Sequence, residues 1–94
     1  MERSVYSREY AIFLQELKRA RKATGVSQVE LARRLETTQK WISKCEVGER
    51  RLDMIDVRRF CEALGVSFPA FAEQVETAIQ ADRTQSRGSK SQPA

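Results

Sequence analysis

Residues 27–38 constrain the fold more tightly than any other stretch of the chain. Ser27 opens SQVE, which has the form of a capping box. Its hydroxyl can accept from the backbone of Glu30, whose carboxylate can reach back to the serine N–H. Val26 and Leu31 stand where a hydrophobic staple closes around such a start. The spacing predicts a helix from about Gln28 to Leu35. Only Glu36 and Thr37 then remain before Thr38 can cap the next helix, within TTQKWISKCE (37–46). Two short helices so closely joined must cross steeply, as in a helix-turn-helix.

The same punctuation recurs on both sides. Tyr6, Tyr10, Phe13, Leu14, Leu17, Ala20 and Thr24 recur at helical spacing behind a candidate Ser7 cap, and Gly25 ends the run. Asp53 with Asp56 forms a second box with Leu52 and Val57 as its staple, and Gly65 closes that helix. Ser67 opens a fifth helix, with Pro69 in its first turn, Val66 and Phe71 as a third staple, and an apolar stripe of Phe68, Phe71, Ala72, Val75 and Ile79. No strand-like alternation appears. The expected organisation is an N-terminal arm over 1–7, an all-α five-helix domain over 8–81 and a disordered tail over 82–94, where RTQSRGSKSQPA has almost nothing to bury.

Composition narrows the chemistry. The chain has 94 residues, 40% of them hydrophobic, enough for one small core. It has two cysteines, Cys45 and Cys61, and no histidine, so neither zinc-ligand spacing nor a Cys/His nucleophile pair is present. Each cysteine falls on the apolar stripe of its own helix, as buried free thiols do in a reducing compartment. The longest apolar run is AIFL (11–14), too short for a signal peptide or a membrane span, and a cytoplasmic location is expected. No metal, cofactor or small-molecule substrate is implied, and no nucleophile and base pair marks an enzyme. The net charge of +4 is unevenly placed: Lys18 to Arg51 holds ten basic and four acidic residues, whereas Phe68 to Asp82 holds three acidic ones and no basic one. Such clustering suits a polyanion.

Within TTQKWISKCE, taking Ile42 as the inward direction places Thr38, Cys45 and Glu46 within about 60° of it. Lys40 and Lys44 point outward, flanked by Trp41 and Ser43 on opposite sides, and Gln39 lies in the first turn. A merely solvated helix accounts for the lysines but not for the tryptophan and glutamine around them, nor for an inward glutamate.

Taken together, SQVELARRL, the short turn, the ISKCE end of the third helix, the GERRL that follows and a fourth helix ending ALGVS resemble the XRE-like helix-turn-helix family, the DNA-binding domains of phage-type repressors. The resemblance spans roughly Leu17 to Phe71 and implies a lambda-repressor-like fold. Its third helix would lie in the major groove of double-stranded DNA, usually in a homodimer on an inverted repeat. Glu36 departs from the family pattern, standing where glycine is frequent; a left-handed conformation there costs about 1 to 2 kcal/mol. Trp41 is bulkier than most residues at its place.

The resemblance assigns roles residue by residue. Gln39 would pair with an adenine edge, and Lys40 and Lys44 would donate to guanine O6 and N7. Gln28 would contact a phosphate from the start of the second helix, where unpaired N–H groups also attract anions, or else be an ordinary polar residue there. Thr38 caps its helix and can touch the DNA backbone, and Ser43 is a further phosphate candidate. Arg50 and Arg51 are placed for phosphates, or for pairing with Glu49 or Asp53. Trp41 either covers a sugar or thymine methyl or packs on Cys45 and the second helix.

Arg21 falls on the core face of the first helix. With the inward Glu46 it forms a candidate structural salt bridge, a pair the family commonly joins; the alternative is an Arg21 phosphate contact with Glu46 solvated. The expected function is a sequence-specific transcriptional regulator, a repressor acting as a homodimer. The alternative is an antitoxin-like or adaptor protein that binds a protein partner and uses DNA binding for autoregulation.

Overall fold

The computed structural model describes the backbone of residues 2–91 and the side chains of residues 8–85. Among the described residues there are five helices and no strand: α1 Glu2–Ala23, α2 Gln28–Arg34, α3 Gln39–Glu46, α4 Met54–Leu64 and α5 Phe68–Ser91. Helix α2 packs on α3 and α4, α1 on α3 and α5, and α4 on α5. Leu17, Leu31, Ile42, Cys45, Phe60 and Cys61, drawn from the first four helices, are the most deeply buried side chains, and Phe71 brings α5 onto the same core.

Local chemistry sets most boundaries. Thr38 accepts from the N–H of Trp41 at 3.1 Å and starts α3, and Ser67 accepts from Ala70 at 3.2 Å at the start of α5. Asp53 and Asp56 close a complete capping box, at 2.8 and 3.1 Å. The box expected at Ser27 is only half formed. Ser27 accepts from Glu30 N–H at 3.0 Å, but the Glu30 carboxylate turns to Arg33 and Arg34, at 2.6 and 2.8 Å. Those two guanidinium hydrogen bonds hold the Glu30 carboxyl down at about 2. Two cations on the next turn outcompete one backbone N–H.

Helices α1 to α4 end alike. After α2, Thr37 N–H donates to Ala32 O at 2.9 Å and Glu36 N–H to Arg33 O at 3.2 Å. This closure needs a left-handed residue. Glycine supplies it after α1, α3 and α4, but after α2 it is Glu36, with φ of 59°. The turn therefore carries the left-handed glutamate that the sequence made conditional. At Gly48, with φ of 89°, an added Cβ would also stand 3.3 Å from Leu14 Cδ1, so backbone and space both favour glycine there.

Two expectations about the ends need correction. Helix α1 begins at Glu2, so there is no break at Ser7 and residues 2–7 are helical rather than a separate arm. Helix α5 continues to Ser91, so residues 82–91 are helical where disorder was expected; residues 92–94 of that tail lie outside the described residues. The reason lies in antiparallel pairing of α1 with α5. Phe13 meets Phe71 with ring centroids 6.3 Å apart, and further along Arg8 bonds Asp82 at 2.6 Å and Arg83 bonds Glu9 at 2.7 Å. Extending a helix already nucleated against a neighbour requires no new apolar stripe. No helix among the described residues is long and apolar enough to cross a membrane.

Candidate nucleic-acid interface

Helix α3 is held from below by Ile42, Cys45 and Glu46, all buried, and turns Gln39, Lys40 and Lys44 outward. Thr38, Lys40, Trp41, Lys44 and Arg50 line one open recess of about 340 Å³ together with Glu49. Three cations from α3 and the loop after it thus face a common space. Among the described residues no ion pair joins Arg50 to Glu49 or Asp53. Ser43 is half-buried and lies outside this recess.

Beneath the helix Arg21 and Glu46 meet in two hydrogen bonds, Nε to Oε2 at 2.6 Å and Nη2 to Oε1 at 3.0 Å. The remaining Arg21 nitrogen, Nη1, donates to Val26 O at 3.0 Å. Burial alone would push the Glu46 carboxyl up, but hydrogen bonds from Arg21 and Gln28 and the guanidinium charge outweigh it and hold the group below its ordinary range. The arginine is therefore turned inward to the glutamate, not outward to a phosphate.

Gln28 extends this pair to the exposed start of α3. Its Nε2 donates to Glu46 Oε1 at 2.9 Å, while its Oε1 accepts from Gln39 Nε2 at 2.8 Å. One amide links the buried carboxylate to the first residue of α3, and the spacing of residues along the sequence gave no sign of it. An amide has two N–H donors and a carbonyl with two acceptor sites, so these bonds leave capacity for an external group.

Trp41 packs toward α4, its ring 6.0 Å from that of Phe60, and is partly buried. With Leu35, Thr37, Asp56, Arg59 and Phe60 it also borders a second recess of about 230 Å³. Arg51 is separated from the Lys40 and Lys44 recess. Its Cζ lies 4.1 Å from the centroid of the Tyr10 ring, and the Tyr10 hydroxyl accepts from Leu52 N–H at 3.0 Å. Sequence reasoning placed Tyr10 only on the apolar stripe of α1 and missed this link.

Both cysteines are free and buried. Burial pushes the Cys45 thiol up to about 11, and Cys61 is raised for the same reason, so neither supplies a thiolate nucleophile near neutral pH. Among the described residues no group of His, Cys, Asp or Glu is placed to hold a metal ion.

A family model described as a helix-turn-helix domain matches residues 12–84. Among solved structures, an XRE-family like protein from Pseudomonas syringae pv. tomato str. DC3000 is similar, with a TM-score of 0.76 and 37% sequence identity over 81% of this chain and 93% of that chain. No curated protein matches the chain. An α2 and α3 pair packed together across the short 35–38 connection, a cationic recess on α3 and these two likenesses agree, and the chain belongs to the XRE-type helix-turn-helix family.

Proposed function

We propose that this chain is a sequence-specific DNA-binding transcriptional repressor that acts in the cytoplasm as a homodimer on an inverted-repeat operator. The observation that carries the reading is the recess where Lys40, Lys44 and Arg50 converge on the outer side of a helix whose first residue, Gln39, is held by Gln28. Base readout needs donors and acceptors on a narrow element, with phosphate anchors around it. Gln39, Lys40 and Lys44 take the first role. Gln28, Thr38, Trp41, Ser43, Arg50 and Arg51 take the second, and the Arg21–Glu46 bridge orients α3 from below.

The footprint of one eight-residue reading helix supports a dimer, since one such element specifies few base pairs. On the apolar stripe of α5, Val75 packs against the core in this chain, and Ile79 is half-buried. Large apolar side chains with more than half their surface exposed stand elsewhere, at Val29, Val47, Met54 and Ile55.

Selection of bound duplexes from a random library tests the reading. An inverted repeat with half-sites about 34 to 36 Å apart is the expected result. Recovery of no preferred sequence would overturn specificity, and sedimentation showing one chain per saturated site would overturn the dimer.

A further inference from the structure

Tyr10 is half-buried on α1, yet it is joined twice to the loop between α3 and α4. Its hydroxyl accepts from the backbone N–H of Leu52 at 3.0 Å, and its ring lies 4.1 Å below the guanidinium carbon of Arg51. It is braced from behind. Phe13 sits 5.2 Å away with a tilt of 56°, and Phe13 in turn meets the buried Phe71. An aromatic column therefore runs from α5 through α1 to the loop.

We infer that Tyr10 is a positioning residue for DNA binding: it fixes the Arg50–Leu52 segment so that Arg51 is presented to a backbone phosphate. This rests on the DNA-binding reading above. Leu52 is pinned both by its buried side chain and by its N–H, which fixes the backbone one residue beyond Arg51. The ring then limits where the guanidinium can swing. A cation held over an aromatic face has fewer rotamers to lose when it meets a phosphate. Arg50 faces the recess with Lys40 and Lys44, so the two adjacent arginines are directed to different neighbours. A tyrosine that merely filled core space would have to satisfy its hydroxyl but would not need a guanidinium over its ring.

Titrations of the full chain against a duplex carrying its preferred site, at several salt concentrations, test the assignment. Tyr10→Leu should weaken binding about three- to tenfold on all sequences alike and flatten the salt dependence by about one unit, the same change expected of Arg51→Ala. The double variant should bind no more weakly than Arg51→Ala alone. Tyr10→Phe keeps the ring and should keep the salt slope, while amide exchange at Leu52 quickens. Additive losses in the double variant, or a wild-type salt slope in Tyr10→Leu, would overturn the inference and leave the DNA reading standing. If wild-type binding itself showed no salt dependence, the phosphate-binding reading would fall, and this inference with it.

Discussion

Arg21 and Glu46, on different helices and 25 positions apart, share two hydrogen bonds with less than a tenth of either residue exposed. Charges so placed have exchanged water for each other, and each depends on the other for its solvation. Removing one leaves an uncompensated buried charge. Arg21→Ala and Glu46→Ala should each lower stability by about 3 to 5 kcal/mol in urea melts. A midpoint that barely moves in both variants would mean the pair contributes no more than a surface contact.

The same pair sets a pH response. The folded carboxyl of Glu46 lies below its ordinary value of 4.5, so the stabilisation it confers is complete above that value and is lost as pH falls through the depressed folded one. Thermal melts between neutral pH and pH 3 should fall more steeply for the wild type than for Glu46→Gln. Parallel curves would show that the carboxyl titrates alike in folded and unfolded chains.

If α3 reads bases and Arg50 anchors a phosphate, as proposed, the two should separate under mutation. Gln39→Ala or Lys44→Ala should cost roughly 1 to 3 kcal/mol on the preferred site and relax preference at one base pair per half-site. Arg50→Ala should weaken all sequences alike and flatten the salt dependence by about one unit. Affinities for a set of single-base variants at two salt concentrations distinguish the patterns. Equal losses on every variant for Gln39→Ala would remove α3 as the reader.

The left-handed Glu36 predicts a gain. It is exposed, and its closure bonds come from the backbone, so Glu36→Gly should keep the turn and stabilise the domain by about 1 kcal/mol. An unchanged or lower melting temperature would show that the glutamate side chain contributes more than the strain costs.

What could be read in advance divides along physical lines. The starts of α2, α3 and α4 follow from caps a few residues long, and periodicity alone turns Arg21 and Glu46 toward the core. Those signals are local. The outer ends of α1 and α5 depend on each other through Arg8 with Asp82 and Glu9 with Arg83, pairs 74 positions apart that no window along the chain can join. The Ser27 box was legible as a pattern, but Glu30 had three claimants and the pattern named only one. Gln28 and Tyr10 bond across helix crossings, and their partners become visible only once α2 lies on α3 and α1 lies behind the loop.

Trp41 gives the molecule a built-in reporter. It is the single tryptophan of the chain, and it stands between the aromatic ring of Phe60 on one side and the recess shared by Lys40, Lys44 and Arg50 on the other. Its indole emission therefore samples the protein interior and the face of α3 at once. On the proposed DNA-binding reading, a duplex docked against that recess would displace water beside the ring, changing intensity and emission wavelength at a site that needs no attached dye.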